Sequence, residues 1–175
     1  MLASHLALSS WLTFASASSP SYTCPGSPSW VHAYAKVDAV AQAPCEAVRA
    51  EMQSRIDGQP EQWHDPHNNG TYSVLDASDA DTLQLQRRTG NDKYTDKLTF
   101  TFEKASASSC RLLGCSESQV TSVADFGTNY CNLRMLYCGS ADGCKPVEHD
   151  FASSETHVAT SSPGAQHDMK LCLRV

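Results

Sequence analysis

The first patterned segment of the chain, residues 31–39, alternates between apolar and polar side chains. This period of two predicts a β-strand with one buried face. The next segment changes to helical spacing, because Val48, Met52 and Ile56 recur four residues apart. Pro44 fits the first turn of a helix, and Gly58 fits its C-terminal end. We therefore predict a helix over residues 44–57.

Strand patterns follow the helix. Leu83 begins one strand and Leu98 another, and the polar turn at residues 89–92 joins them as a hairpin. The adjacent Arg87 and Arg88 are interpreted as the solvated end of this hairpin. Further strands are predicted at residues 72–74, 116–126, 130–138, 147–158 and 171–175. One strand, one helix and an antiparallel meander indicate an α+β fold in which the main helix packs on the sheet. A cystatin-like roll is one architecture of this kind.

Residues 1–17 have the character of a signal peptide, since they are short, apolar and free of Lys, Arg, Asp and Glu. The small residues Ala15 and Ala17 predict cleavage before Ser18. A buried N-terminal helix is the alternative. The remaining residues 18–175 are predicted to form a single disulfide-rich domain, and no later segment is long and apolar enough to span a bilayer. The sequence therefore predicts a secreted, extracellular protein.

The chain carries a formal net charge of −6 and has no cluster of Lys and Arg. Proteins that bind the phosphate backbone need clustered positive charge, so a nucleic-acid partner is not expected. No cofactor motif is present either.

The chain has eight cysteines, all of them downstream of the leader. An even number in an exported chain predicts four disulfides, and the absence of C-x-x-C spacing argues against a structural zinc site. We expect no free thiol. We predict the pairs Cys131–Cys138 and Cys144–Cys172, and then Cys110–Cys115 and Cys24–Cys45.

One loop concentrates residues that could carry chemistry. His64, Asp65 and His67 could bind zinc or copper. Pro66 prevents a regular helix between the two histidines, so the alternative is a surface turn anchored by a buried Trp63. We predict this structural turn and assign no metal and no catalytic residue. Asn69 begins the only N-x-[ST] sequon, which predicts a glycan on this loop.

Motifs for known enzyme classes are absent, since no G-x-S-x-G elbow occurs and no carboxylate pair marks a glycosidase. A Ser-His-Asp triad assembled by folding stays open. Residues 119–123 resemble the Gln-x-Val-x-Gly hairpin of cystatins only in part, because Val123 replaces the glycine.

Three stretches, residues 63–72, 93–102 and 115–131, resemble exported cysteine-rich proteins of microalgae whose function is unknown. The resemblance covers the chain from about Cys24 onward. It implies a secreted, disulfide-rich character and no catalytic residue.

These observations predict a non-catalytic binding domain whose partner is an extracellular protein or a glycan. The alternatives are a secreted hydrolase that uses His64, Asp65 and His67, and a cystatin-like protease inhibitor.

Overall fold

A computed structural model of the protein describes residues 21–161 and 167–174, so the predicted signal peptide at residues 1–17 lies outside the described residues. Within the described residues the strands are β1 (Tyr34–Ala41), β2 (Thr71–Asp76), β3 (Thr82–Arg88), β4 (Thr95–Ser106), β5 (Ser109–Ser118) and β6 (Ser153–Thr160), and the α-helices are α1 (Cys45–Asp57), α2 (Thr128–Tyr137) and α3 (Met169–Cys172). The strands form one antiparallel sheet in the order β2-β3-β4-β5-β1-β6. The predicted α+β class is confirmed, and the cystatin-like roll stays a prediction.

The hydrophobic core lies between one face of the sheet and the two longer helices. The alternation that predicted the first strand is confirmed, because Ala35 and Val37 of β1 are fully buried on this face. Gly114 lies between Val37 and Phe100 in the register of the central strands. A Cβ atom at Gly114 would lie 3.2 Å from Leu133 of α2, so the glycine allows this helix to approach the sheet closely.

The helix α1 confirms the prediction for residues 44–57 almost to the residue. Its polar residues Glu51 and Arg55 are nevertheless fully buried as an ion pair of 2.7 Å. Arg55 also donates to the carbonyl oxygens of Met135 and Cys138, at the C-terminal end of α2. Burial opposes the ionisation of Glu51, but hydrogen bonds from backbone N–H groups such as that of His149 lower its pKa overall. This ion pair therefore joins α1 to α2.

Three predicted strands are wrong. Residues 116–126 contribute only their first residues to β5, residues 130–138 form the helix α2, and residues 171–175 overlap the short helix α3. The sequence pattern did not predict the helix α2, because nine of its ten residues are buried, including Asn129, Asn132 and Arg134. A helix that is buried on all sides has no polar face and therefore no stripe of period 3.6.

All eight cysteines form disulfides, as predicted, but every predicted pairing is wrong. The observed bonds are Cys24–Cys115, Cys45–Cys110, Cys131–Cys172 and Cys138–Cys144. Cys110 and Cys115 are five residues apart on β5, so their side chains point to opposite faces of the sheet. Cys131 lies two helical turns from Cys138, a rise of about 10 Å that no disulfide spans. Each of these cysteines instead bonds to another element.

Candidate functional site

A row of polar side chains crosses the buried face of the sheet at one end. The register pairs Tyr72 with Arg87, Arg87 with Asp96, and Asp96 with Ser118. All four residues are buried. The next row along the same face contains Leu85, Leu98 and Ser116, so it carries no charged side chain.

Arg87 forms the ionic centre of this row. Its guanidinium lies 2.7 Å from the carboxylate of Asp65, and neither side chain is exposed to solvent. It also donates to the carbonyl oxygen of His67 and packs against Gly70, where any side chain would overlap it. The interpretation of Arg87 as a solvated hairpin residue is therefore wrong. Its neighbour Arg88 does reach solvent.

In the loop at residues 63–71, the candidate metal ligands His64, Asp65 and His67 lie in different environments. His64 is exposed, whereas Asp65 is fully buried and accepts hydrogen bonds from Arg87, from the Tyr72 hydroxyl and from the backbone N–H of His67. The surface turn predicted here is therefore wrong for Asp65, because the Arg87 guanidinium draws its carboxylate into the core. The predicted anchor is confirmed, since Trp63 is 3% exposed.

His67 is half-buried, and its Nε2 atom lies 3.3 Å from the Thr128 hydroxyl. Burial and the nearby Arg87 lower the pKa of His67 below its ordinary value. The loop therefore offers no common surface on which His64, Asp65 and His67 could act together. In residues 21–161 and 167–174, the one group of three potential metal ligands within 4.8 Å of one another is Cys24, Cys115 and Glu117. The Cys24–Cys115 bond already uses both of these sulfurs.

Amide side chains of α2 connect the polar row to the helix. The Asn132 amide donates to the Asp96 carboxylate at 2.8 Å, and the Asn129 amide donates to the Ser118 hydroxyl at 3.0 Å. The Ser118 hydroxyl and the Asn132 amide both favour the ionised form of Asp96. Two fully buried atoms of this cluster, Arg87 Nη1 and Asn132 Oδ1, have no hydrogen-bond partner among the described residues. Buried polar atoms are usually paired, so this end of the fold is not optimised for stability.

Asp125 has a structural role at the start of α2. Its carboxylate accepts hydrogen bonds from the backbone N–H groups of Gly127 and Asn129, both at 3.1 Å. These are the groups that a helix N-terminus leaves unpaired. Phe126, which lies between Asp125 and Gly127, has a φ of 52° and is 85% exposed. A positive φ is strained for a bulky residue, so the turn holds an aromatic ring in solvent at a conformational cost.

A pocket of about 430 Å³ opens above the polar row, and we call it the Asp96 pocket. Asp96, Ser118, Asp125 and Thr128 form part of its wall, and Tyr94 and Phe126 lie beside it with 50% and 85% of their surfaces exposed. The described residues that line it include no Lys, Arg or His. Burial raises the pKa of Asp96 above its ordinary value, which Asp125 reinforces. The pocket therefore combines aromatic rings with oxygen acceptors and carries no positive charge.

The sequence analysis missed this pocket, although part of the signal was present. Leu98, Phe100 and Phe102 alternate along β4, and extending the alternation back by two residues puts Asp96 on the same buried face. In the same way, Leu83 and Leu85 of β3 lead to Arg87. A charged residue in an inward-facing position indicates a functional or strained site.

Comparison with known protein families finds no family that matches this chain, and comparison with curated proteins finds no similar sequence. Within the described residues, no helix is both long and apolar enough to cross a membrane. The four disulfides are consistent with an extracellular protein.

Proposed function

We propose that this protein is a secreted, non-catalytic binding domain that holds a glycan in the Asp96 pocket. The observation that carries the proposal is the joint presence of exposed aromatic rings and oxygen-bearing side chains in one concave site. A sugar ring has an apolar C–H face, which packs against an aromatic ring, and hydroxyl groups at its edge, which form hydrogen bonds. The Asp96 pocket offers partners for both.

The hydrogen-bonding groups of the pocket suit hydroxyl ligands. A carboxylate accepts several hydrogen bonds, and the hydroxyls of Thr89, Ser118 and Thr128 both donate and accept. Asp96 and Ser118 are held in place by the amides of α2, so they lose little side-chain freedom when a ligand binds. This preorganisation favours binding.

A second cavity, of about 480 Å³, adjoins the Asp96 pocket and shares Asn68, Thr89 and Tyr94 with it. Tyr94 therefore lies between two concave spaces, an arrangement that suits a ligand of more than one sugar unit. The predicted glycosylation site, Asn69, is exposed and lines this second cavity. A glycan attached to Asn69 would occupy part of it, so binding is best measured on protein with and without that glycan.

The test is a glycan array, followed by calorimetric titration of any glycan that binds. Replacing Tyr94 by Ala is expected to weaken binding about tenfold, since an aromatic contact contributes about 0.5–1.5 kcal/mol beyond its buried area. The matched control is Leu75→Ala, because Leu75 is 48% exposed and Tyr94 is 50% exposed, yet Leu75 lies on the edge strand β2 and does not line the pocket. An array without binding, or equal losses in both variants, would refute the proposal.

A further inference from the structure

The buried polar row and the buried acidic residues beside it together contain more negative than positive charge. Asp65, Asp96 and Asp125 are all buried, and Arg87 is the one cation of the described residues that pairs with any of them. Arg87 is committed to Asp65, and its guanidinium makes no hydrogen bond to Asp96, its cross-strand neighbour. Among the described residues, Asp96 and Asp125 therefore form no ion pair, although the charge of Arg87 still favours the ionised form of Asp96.

Asp125 and Asp96 differ in how they are compensated. Asp125 faces the N-terminal N–H groups of α2, where the helix dipole also favours a negative charge. Among the described residues, the Asp96 carboxylate accepts a hydrogen bond from the neutral Asn132 amide, and the neutral Ser118 hydroxyl also favours its ionised form. It is 2% exposed, and the solvent it can reach is that of the pocket. A buried carboxylate without a cation is unfavourable unless it takes up a proton or gains a positive partner.

Because the pocket contains a buried carboxylate without an ion-pair partner and has exposed aromatic rings beside it, we propose that the Asp96 pocket selects glycans that carry a free primary amine. The inference rests on the proposed glycan-binding function and names the class of sugar. The ammonium group of a deacetylated hexosamine would pair with the Asp96 carboxylate. Its remaining N–H groups would reach hydroxyls such as that of Ser118.

The aromatic rings beside the pocket favour the same ligand. A cation within about 6 Å of an aromatic ring is attracted to the face of the ring, and Tyr94 and Phe126 provide two exposed rings. A divalent metal ion is a poorer fit, because Asp96 and Asp125 are not joined by a third described ligand within 4.8 Å. The two carboxylates would repel the acidic groups of uronic acids and sulfated sugars. The order of affinity expected is amine-bearing, then neutral, then acidic sugars.

The experiment compares three oligosaccharides of equal length by calorimetric titration: fully deacetylated chitosan oligomers, their N-acetylated counterparts and oligogalacturonate. We expect the amine-bearing oligomer to bind at least tenfold more tightly than the N-acetylated one, and oligogalacturonate not to bind. This comparison uses the wild-type protein alone. Equal or tighter binding of the N-acetylated oligomer would overturn the amine inference and leave the glycan proposal standing. Failure of every glycan, there and on the array, would overturn both.

Two variants then test whether Asp96 causes the preference for the amine-bearing oligomer. Asp96→Asn should abolish the tenfold preference, because it removes the carboxylate and keeps the size of the side chain. Asp57→Asn changes the net charge equally at an exposed position of α1 and should keep the preference. Spermidine controls for general attraction of cations to a chain of net charge −6. Spermidine binding as tight as that of the amine-bearing sugar, or a preference that survives in Asp96→Asn, would overturn the proposal.

Discussion

Replacing Arg87 by Met tests whether the polar row is held together by its buried ion pair. The guanidinium makes a 2.8 Å and a 2.7 Å contact to Asp65 and a hydrogen bond to the His67 carbonyl oxygen. Of the donors that the described residues provide to Asp65, the substitution leaves the Tyr72 hydroxyl and the His67 N–H. Removing one partner of a buried pair costs about 3–5 kcal/mol. At about 2–4 °C per kcal/mol for a domain of this size, the melting temperature should fall by about 6–20 °C.

The loss should also depend on pH. Burial raises the pKa of Asp65 above its ordinary value, and the charge of Arg87 acts against this rise. Without Arg87 the pKa of Asp65 rises further, so in the folded variant this group favours its protonated form. A group whose pKa is raised on folding contributes stability that is present below its unfolded pKa and is lost as the pH rises through its folded pKa. The variant should therefore be closer to the wild type in melting temperature at pH 4 than at pH 7.

Thermal unfolding followed by circular dichroism measures both effects, and the adjacent arginine provides the control. Arg88 forms its 3.2 Å ion pair with Asp92 in solvent, so Arg88→Met should change stability by less than about 1 kcal/mol. The double variant Asp65→Leu/Arg87→Met removes both charges and should recover part of the loss. Equal small effects of Arg87→Met and Arg88→Met would refute the assignment of a buried ion pair.

Three further predictions address the core, the pocket and the thiols. Trp63→Ala should cost about 3–5 kcal/mol in chemical denaturation, whereas Trp30→Ala, at a fully exposed tryptophan, should cost less than about 0.5 kcal/mol. Burial raises the pKa of Asp96, so its ionised form destabilises the fold, and Asp96→Asn should raise the melting temperature at pH 7 but not at pH 4. A lower melting temperature of this variant at pH 7 would contradict this reasoning. No cysteine of the native protein should react with an alkylating reagent before reduction, and peptide mapping should recover the four observed pairs.

Local patterns predicted the elements that present one face to solvent and one to the core. The helix α1 follows from the spacing of Val48, Met52 and Ile56, and the hairpin of β3 and β4 follows from strict alternation around a polar turn. Nine of the ten residues of α2 are buried, so the helix has no such contrast. The periodicity of apolar and polar residues reflects which face of an element is exposed to solvent, so it does not predict an element that is buried on all sides.

The pairing of the cysteines and the pocket depend on tertiary contacts that no local pattern contains. Cys45 begins α1 and Cys110 lies on β5, and only the packing of the helix on the sheet brings them together. The Asp96 pocket likewise combines residues of β4 and β5 with the loop before α2. The sequence could show that Asp96 and Arg87 face inward, but it could not show that Arg87 would pair with Asp65 rather than with Asp96.

The disulfides and the polar row are linked through the elements that they share. Cys115 lies on β5 close to Ser118, and Cys131 lies on α2 between Asn129 and Asn132. The bonds Cys24–Cys115 and Cys131–Cys172 therefore restrain the two elements whose side chains hold Asp96. Cross-links of this length contribute about 2–4 kcal/mol each by restricting the unfolded chain, which can offset the cost of buried charge. A fold stabilised in this way can maintain a carboxylate without an ion-pair partner in a preformed pocket, which is what selective binding of an amine requires.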